Sequence, residues 1–372
     1  EHRSRRGDEV TVITGRAGYL EGLDTEPPRP SGVRVRRAWT PDLGKASIAR
    51  RLVGYVSYLV GALVRVVALP RQDVIVVMTT PPLVMLVALA HKVLHPRTRV
   101  VLWSMDCYPD VAERFGEIDV GGPVSRILRW MTRRAFRHLD HVIALDGAMA
   151  RLLTDQYVAG PGRPPCTVVP NWEPAALFPE PLPEEPSGGA VTLLYLGNIG
   201  VGHRFDTVVD AAAVLGSEAR FCFVGGGARR EALLEASADH GLTNLTIRDY
   251  VPKTATPELL AAADVALITL DERSLGVISP SKLHANLAAG LPVLYVGPKG
   301  SNVDEAIERF GCGWSLREGD VDGVLAAVGA LRAEAGTSLA LERRARSRAA
   351  FEEAYCDLVT LPQLDAIIDH AR

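Results

Sequence analysis

The fold of this chain is decided by the stretch Ser279-Pro280-Ser281-Lys282-Leu283-His284-Ala285-Asn286-Leu287-Ala288-Ala289-Gly290-Leu291-Pro292-Val293. It predicts a loop, a helix of roughly two to three turns, a glycine stop and a buried strand. Ser281 can cap the helix through its hydroxyl, and Gly290 supplies the left-handed residue that ends it. Because a helix N-terminus attracts anions and Lys282 adds a positive charge, the stretch predicts a phosphate site. An ordinary α/β unit with a surface lysine would show the same spacing.

Strands and helices alternate on both sides of this stretch. Near-continuous apolar runs such as Val74-Ile75-Val76-Val77 are typical of parallel strands that are covered on both faces. Strands that alternate with helices predict βαβ units joined by right-handed crossovers. The predicted fold class is therefore α/β, with two Rossmann-like domains that face each other across a cleft.

The domain boundaries follow from length and from one proline-rich break. A chain of 372 residues is expected to form two domains. Six prolines and four glutamates between Pro170 and Gly189 predict an interdomain linker. We therefore expect domains at 1–175 and 190–350, a linker at 176–189, and a C-terminal helix within 351–372 that packs back toward the first domain. The chain enters its first strand abruptly, so a preceding strand and helix are expected to be absent from it.

Composition excludes several classes of protein. Apolar residues make up 47% and charged residues 23%, and the net charge is −3, so no nucleic-acid partner is expected. Five scattered cysteines without a C-x-x-C pair argue against a disulfide framework or a zinc site, and they fit a reducing cytosol. The longest apolar run, Leu52 to Val64, is shorter than a bilayer-spanning helix needs. These features predict a cytoplasmic protein.

Three glycine-bearing turns follow strands in the second half of the chain, at 196–202, 224–227 and 297–300. Glycines at the carboxyl ends of parallel strands let the backbone approach a ligand. Neither a P-loop nor the spacing of a dinucleotide fingerprint is present. Together with Ser281-Lys282, the three turns predict a nucleotide or sugar-phosphate site, although each turn alone is compatible with simple packing.

These turns also carry a resemblance. Tyr195-Leu196-Gly197-Asn198-Ile199-Gly200, then Arg204-Phe205-Asp206-Thr207 and Phe223-Val224-Gly225-Gly226-Gly227, resemble the donor domain of GT-B glycosyltransferases. Within that fold the chain is most similar to the family-4 group, which includes colanic-acid, O-antigen and exopolysaccharide assembly transferases. The stretch from Ser279 to Val293 matches the hallmark of that group. Asp106-Cys107-Tyr108-Pro109-Asp110 and Val169-Pro170-Asn171-Trp172 match further motifs in the first half.

The resemblance implies a nucleotide-diphosphate sugar in the cleft, retention of anomeric configuration, and neither a metal nor a cofactor. The second domain would bind the donor and the first domain the acceptor. Lys282 would contact the diphosphate, and Arg204 would be a second cation, because Asn198 stands where many relatives have arginine. The implied donor-binding residues are Gly197, Asn198, Arg204, Gly225, Gly226, Gly227, Tyr250, Val251, Ser281, Lys282, Leu283 and Asn286.

Asp106 is the candidate catalytic residue. It follows a predicted strand, and relatives place a histidine or an acid nearby, close to the sugar and the acceptor. Its carboxylate could orient an acceptor hydroxyl or stabilise positive charge at the anomeric carbon. A turn residue or helix cap before Pro109 is the structural alternative, and Asp110 and Glu113 are the alternative acids. His138, His141 and His203 belong to no motif and are interpreted as structural or solvated residues.

One departure from the family concerns two glutamates that many relatives carry eight residues apart. The corresponding positions here are Val277 and Ala285, and neither side chain can bind a ribose. Asn286 or His284 could substitute, or both could be surface residues. The loss leaves the nucleotide undetermined and admits a non-catalytic homologue.

The helix predicted over 123–139 carries Arg126, Arg129, Arg133 and Arg137 at helical spacing, with apolar residues elsewhere on the helix. Such a surface is typical of helices that bind anionic lipid headgroups, although a solvated face would look the same. On the first interpretation, we expect a peripheral location on the inner face of the membrane. The predicted function is transfer of a hexose or related sugar from an NDP-sugar to a lipid-linked or other glycan acceptor. An NDP-sugar 2-epimerase and a non-catalytic binding partner are the alternatives.

Overall fold

A computed structural model describes residues 1–15, 30–39, 41, 48–158, 160–178, 189–252 and 255–370. Most of the predicted linker, 179–188, lies outside these residues. Within them the chain is α/β with parallel sheets, which confirms the predicted fold class.

The N-terminal half contains a four-stranded parallel sheet in the order β3-β4-β5-β6 and a separate parallel pair, β1-β2. Apolar side chains of β4 and β5 are fully buried, as expected for doubly covered strands, whereas β3 is only partly covered, with Val76 40% exposed. The elements are α1 (His2–Arg5), β1 (Val10–Thr14), β2 (Val33–Arg37), α2 (Ile48–Val67), β3 (Val74–Val77), α3 (Met85–Leu94), β4 (Arg99–Trp103), α4 (Asp110–Arg114), α5 (Pro123–Phe136), β5 (His141–Ala144), α6 (Gly147–Leu153) and β6 (Cys166–Val168).

The C-terminal half contains a six-stranded parallel sheet in the order β12-β11-β10-β7-β8-β9. Its strands are β7 (Val191–Leu196), β8 (Ala219–Val224), β9 (Leu245–Arg248), β10 (Val265–Thr269), β11 (Val293–Val296) and β12 (Gly313–Leu316). Its helices are α7 (Asp206–Leu215), α8 (Arg230–Asp239), α9 (Thr256–Ala261), α10 (Lys282–Ala288), α11 (Asn302–Phe310), α12 (Val321–Glu334), α13 (Ser338–Ala350) and α14 (Asp357–His370).

The strand order reverses between β7 and β10. From β7 the chain proceeds to β8 and β9 on one side, and then it crosses to β10 on the other side of β7. Open parallel sheets bind ligands outside the carboxyl ends of their strands at such a switch point. A ligand site is therefore expected beside the residues that follow Leu196 and Thr269.

The last helix returns to the N-terminal sheet. Leu364, Ile367 and Ile368 of α14 pack in one cluster with Val101 and Ile143 of β4 and β5. Arg3 and Arg6 of the first residues form ion pairs with Asp365 and Asp369 on the same helix. The two ends of the chain are thus fixed to each other on one face of the N-terminal domain.

Among the described residues, no single helix is both long and apolar enough to cross a bilayer. One sharply bent pair of helices, Val321–Glu334 with Ser338–Tyr355, passes the same test by length and composition only.

Candidate functional site

Helix α10 starts one residue after Ser281, but Ser281 does not cap it as the sequence predicts. Ser281 has helical backbone angles, and its side chain makes no capping hydrogen bond to the first turn. A hydroxyl caps well only from an extended N-cap residue, so this geometry removes the interaction. Gly290 does adopt the predicted left-handed conformation, with φ of 73°. The helix is only seven residues long, so the charge of Lys282 matters more here than the helix dipole.

The side chain of Lys282 turns toward the carboxyl end of β7. Its Nζ donates to the carbonyl oxygen of Asn198 at 3.2 Å and lies 3.1 Å from Nε2 of His203. The same atom lies 4.7 Å from the centre of the Tyr195 ring, a cation–π contact. Burial of the side chain disfavours its charged form and lowers the pKa of Lys282 to about 7. A partly desolvated cation at the switch point is well placed to bind an anion.

Two of the glycine turns meet beside this lysine. Gly197 has φ of 128°, and a Cβ there would lie 3.1 Å from Cε of Lys282. Gly225 packs so closely that a Cβ would lie 2.0 Å from the carbonyl oxygen of Gly197. Gly197 is therefore required by its positive φ and Gly225 by backbone packing of one turn against the other, and Lys282 lies at the edge of both turns.

The third glycine of the second turn and Tyr250 complete the cluster. A Cβ on Gly227 would lie 2.4 Å from Oδ1 of Asn198. The ring of Tyr250 lies beside Gly226, and its hydroxyl donates to the Gly226 carbonyl at 3.0 Å. The structure thus brings together the predicted residues Gly197, Asn198, Gly225, Gly226, Gly227, Tyr250 and Lys282.

Three other predicted donor-binding residues are not part of this cluster. Arg204 is held by two carboxylates, with Asp206 at 2.8 Å and Glu318 as its second partner. Hydrogen bonding to Asp206 raises the pKa of Arg204, so it stays charged, but its charge is already compensated. The side chain of Leu283 is fully buried in the apolar core and cannot contact a ligand. Val251 is half-buried against the same core.

Asn286 and His284 are buried, so neither is the surface residue that one interpretation proposed. The His284 ring lies 5.2 Å from that of Tyr355, and burial lowers its pKa to about 4. His284 and Ser281 also line a cavity of about 240 Å³. The cavity's remaining lining residues are Asn171, Trp172 and Glu173, so the motif at 169–172 does reach the space between the domains.

His203 is the residue that sequence reasoning missed. It belongs to no motif by itself, yet it is buried between β7 and β10 and contacts Lys282. Its Nδ1 lies 2.5 Å from the carbonyl oxygen of Thr269, at the end of β10. The available signal was its place in the loop that follows the first glycine turn, since that loop crosses the switch point.

Asp106 lies in the N-terminal domain and is joined directly to the segment that precedes α10. Its backbone forms an isolated antiparallel bridge with Ile278, four residues before Lys282. Burial raises the pKa of its carboxyl group, and a hydrogen bond from Thr80 partly offsets that effect. The candidate catalytic carboxylate is therefore partly desolvated, and this bridge brings its backbone close in space to the hallmark stretch.

The same segment explains the first missing glutamate. Val277 is 0% exposed and packs in the apolar core of the N-terminal domain, although it belongs to the C-terminal half of the chain. Its carbonyl accepts a hydrogen bond from the N–H of Cys107 at 3.1 Å. Arg114 donates to the carbonyls of Arg273 and Leu275 in the same segment. A carboxylate at 277 would be buried without a partner, so this position anchors one domain to the other.

The predicted row of four arginines on α5 is not a single exposed face. Arg129 points inward and forms charged hydrogen bonds with Asp110 at 2.8 Å and with Glu113. It also donates to the hydroxyl of Tyr157, which is buried. Arg129 therefore compensates buried carboxylates rather than facing lipid, and the prediction was wrong for this residue.

The other three predicted arginines, Arg126, Arg133 and Arg137, are exposed. They share the surface of α5 with exposed apolar side chains, of which Trp130 is 67% and Ile127 is 59% exposed. Among the described residues, no group of three or more histidine, cysteine, aspartate or glutamate side chains could hold a metal ion.

Two family descriptions match consecutive parts of the chain. Residues 1–172 match "Glycosyl transferase 4-like domain", and residues 190–334 match "Glycosyl transferases group 1". The chain belongs to the family-4 GT-B glycosyltransferases. The convergence of two glycine turns and a lysine at the switch point is in the second of these matched regions.

Curated relatives of this GT-B chain are similar over part of their length. A probable glycosyltransferase WbjE of Pseudomonas aeruginosa is 26% identical over 59% of the chain and 56% of its own length. A putative colanic acid biosynthesis glycosyl transferase WcaI of Escherichia coli is 24% identical over 51% of the chain and 48% of its own length. The chain thus spans about half the length of the curated relatives it matches.

Solved structures share the GT-B fold. Sucrose-phosphate synthase from Thermosynechococcus elongatus has a TM-score of 0.72 at 13% identity, over 99% of this chain and 90% of that chain. Anabaena HepE, in a complex with UDP, has a TM-score of 0.68 at 12% identity, over 97% of this chain and 100% of that chain. At these identities the likeness concerns the fold alone.

Proposed function

We propose that this protein is a retaining glycosyltransferase that moves a hexose or related sugar from a nucleotide-diphosphate sugar to a hydroxyl group of a glycan acceptor. The observation that carries the proposal is the position of Lys282. Its ammonium group lies at the switch point of the C-terminal sheet, beside Gly197 and Asn198, in a chain of this family. A cation in that position is where the diphosphate of a donor would bind.

Lys282 supplies electrostatic stabilisation in this proposal. When the bond between the anomeric carbon and the β-phosphate oxygen breaks, its electron pair stays on the phosphate and negative charge develops there. A partly desolvated ammonium stabilises that charge more strongly than one in bulk water. Because the lysine performs this role, we propose that transfer requires neither a metal ion nor a cofactor.

The N-terminal domain would hold the acceptor and place Asp106 near it. The bridge between Asp106 and Ile278 fixes the backbone of Asp106 relative to the hallmark stretch. A carboxyl group whose pKa is raised by burial is a better proton acceptor than an exposed one. We therefore assign Asp106 to orienting the acceptor hydroxyl.

A lipid-linked acceptor on an anionic membrane fits the exposed faces of the N-terminal domain. Helix α2 exposes valines four residues apart, including Val60 and Val64, which is 62% exposed. Helix α3 ends in the exposed residues Val93 and Leu94 and packs against both α2 and α5. With the exposed arginines of α5, these helices combine apolar and basic surface, as interfacial helices do. We propose a cytoplasmic protein bound peripherally to the inner face of the membrane.

The test is to incubate the purified protein with UDP-, GDP- and dTDP-sugars, with and without lipid-linked glycan acceptors, and to detect products by mass spectrometry. UDP-sugars come first because the HepE neighbour was solved with UDP and UDP-glucose. Acceptor-dependent transfer with release of the nucleoside diphosphate is expected, and it should persist in EDTA. No binding and no turnover with any donor would refute the proposal.

The same incubation distinguishes the alternatives. Conversion of a free NDP-sugar to its 2-epimer without acceptor would indicate an epimerase. Binding without turnover, with activity only after another subunit is added, would indicate a non-catalytic partner. Both curated relatives are named as glycosyltransferases, so neither alternative is favoured.

A further inference from the structure

His203 connects Lys282 to the core of the C-terminal sheet. Its Nδ1 lies 2.5 Å from the carbonyl oxygen of Thr269, and its Nε2 lies 3.1 Å from Nζ of Lys282. A carbonyl oxygen can only accept a hydrogen bond, so Nδ1 carries the proton of the neutral ring. Nε2 is then an acceptor, and the lysine ammonium donates to it. The contact has a defined direction, from Lys282 through His203 to the end of β10.

The surroundings keep this ring neutral and fixed. His203 is 7% exposed, and the aromatic rings of Tyr195 and Phe205 pack around it at 5.7 and 6.4 Å between ring centres. Burial, together with the charge of Lys282, lowers the pKa of His203 to about 3. The charged groups that face it are Lys282 from α10 and Asp271 from the segment after β10, whose carboxylate is bound by Arg273. His203 is therefore a neutral acceptor at neutral pH.

Besides His203, the ammonium of Lys282 contacts the carbonyl oxygen of Asn198 and the face of the Tyr195 ring. Its Nζ donates to that carbonyl oxygen, which is held in place by a hydrogen bond from the hydroxyl of Tyr195 at 2.7 Å. An ammonium group has three protons, so His203 and Asn198 use two of them. Among the described residues the third proton has no hydrogen-bond acceptor, so it is the one that a ligand beside the glycine turns would accept.

We propose that His203 is a positioning residue for Lys282, which it holds with one ammonium proton directed toward the diphosphate of the donor. The consequence for the diphosphate rests on the proposed function, whereas the contact between His203 and Lys282 does not. Without the acceptor nitrogen, the lysine side chain would lose a charge-assisted hydrogen bond and rotate more freely. It would then stabilise the diphosphate less well, although its own charge would still be present.

The decisive experiment compares His203→Phe with His203→Gln in the full chain. Phenylalanine keeps the ring packing against Tyr195 and Phe205 but removes both nitrogens, whereas glutamine keeps an acceptor oxygen on a side chain of similar reach. The pKa of Lys282 is measured by competitive acetylation and mass spectrometry as a function of pH. An acceptor stabilises the ammonium form, so the pKa of Lys282 is expected to fall in His203→Phe and to recover in His203→Gln.

UDP binding, measured by calorimetry, links this contact to the ligand. The Kd for UDP is expected to rise roughly tenfold in His203→Phe and to recover in His203→Gln, because hydrogen bonds to charged groups are the stronger class. In a Lys282→Met background, His203→Phe should cause no further loss, because residues that act through one another are not additive. An equal loss in that background would show that His203 acts on general stability, and it would overturn the inference.

Two outcomes separate this inference from the proposed function. If the wild type binds no nucleotide, the proposed function fails, and the acetylation data still decide whether His203 holds Lys282. If neither histidine variant folds, ¹⁵N NMR of the wild-type histidines decides instead. A neutral His203 ring protonated at Nδ1 is expected, and a ring protonated at Nε2 would refute the inference, because it could not accept from Lys282.

Discussion

Two helices of this protein, α10 and α5, carry cations that the sequence predicts to bind anions. The structure gives the cations of the two helices different environments. On α10 a single lysine, Lys282, lies among a carbonyl oxygen, a neutral histidine and an aromatic ring. On α5 and at its C-terminal end several arginines are exposed, namely Arg126, Arg133 and Arg137. One arginine of that row, Arg129, turns inward to two buried carboxylates.

The difference shows that the environment of a cation, rather than its presence, decides its use. No carboxylate compensates the desolvated ammonium of Lys282 among its described contacts, so an anionic ligand can form an ion pair with it. Arg129 is already compensated and stabilises the fold. The exposed arginines interact weakly with any single anion, since water and salt screen them, and only a surface with many charges would bind them strongly.

The largest effect is expected from Lys282→Met. Loss of the ammonium removes stabilisation of charge on the diphosphate, so kcat/KM should fall roughly 10²-fold or more. The measurement is steady-state transfer from the donor identified by the sugar-nucleotide panel. Lys299→Met is the matched control, because Lys299 also follows a glycine turn at this sheet edge but is 76% exposed. Equal losses in both variants would show that general surface charge, rather than the position of Lys282, determines the rate.

Arg129→Ala is expected to cost about 3 kcal/mol of unfolding free energy, because it leaves Asp110 and Glu113 buried without their cation. Urea unfolding at neutral pH measures the change. Arg126→Ala, on the exposed face of the same helix, should stay within about 0.5 kcal/mol of the wild type. A similarly small change for both variants would show that Arg129, like the exposed arginines, contributes little to the stability of the fold.

The pH dependence of the same variant has a defined sign. Hydrogen bonds from Arg129 hold the pKa of Glu113 below its usual value in the folded protein. The stabilisation is therefore present above the unfolded pKa of about 4.3 and is lost as the pH falls through the lower folded value. In Arg129→Ala the buried carboxyl would prefer its neutral form, so the deficit in stability relative to the wild type should shrink as the pH falls toward 4. A constant deficit would contradict this assignment.

A smaller effect is expected at the exposed arginines. Arg126→Gln combined with Arg137→Gln should weaken binding to vesicles of phosphatidylglycerol and phosphatidylcholine roughly tenfold or more, since each basic residue near an anionic surface contributes about 1 kcal/mol. Vesicle sedimentation measures this. Arg220→Gln combined with Arg346→Gln is the control, because both arginines are exposed on the C-terminal domain. If the wild type binds neither anionic nor neutral vesicles, the membrane proposal is wrong.

The smallest effect concerns pH and separates the two helices directly. The pKa of Lys282 is about 7, so its charged fraction falls as the pH rises through that value. Affinity for UDP-glucose, whose diphosphate does not titrate in this range, should therefore fall severalfold between about pH 6 and about pH 8. Vesicle binding by the arginine surface should stay constant over the same range, because arginine remains charged. Parallel pH profiles for the two would remove the distinction between the helices.

Sequence patterns predicted the alternating elements well because each signal is local. Apolar runs placed the strands, and Gly290 ended α10 as expected, since a left-handed residue is a local requirement. The predicted helix cap at Ser281 and the predicted exposed position of Arg129 were wrong. Capping depends on the backbone angles that the preceding loop imposes, and the direction of an arginine depends on which carboxylates the neighbouring helix supplies.

The candidate site shows the same division. The glycine turns and Lys282 were predicted because their residue types are restrictive, but His203 was interpreted as structural because nothing local marks it. Its contact with Lys282 joins residues 79 positions apart and exists only because β7 and β10 are neighbours. Likewise, the loss of a glutamate at 277 looked like a defect until the structure placed Val277 in the core of the other domain.

The sequence by itself determined the two-domain α/β architecture, the family and the choice of Lys282 as a site residue. Periodicity, turns and motifs are formed by residues close together in sequence. Only the tertiary structure decided which charges are compensated, which histidine supports the lysine and which residue anchors one domain to the other. The physical reason is that burial and charge pairing depend on the three-dimensional arrangement of the chain. A residue's environment is set by segments that are distant in sequence, and its pKa, its hydrogen bonds and its availability to a ligand follow from that environment.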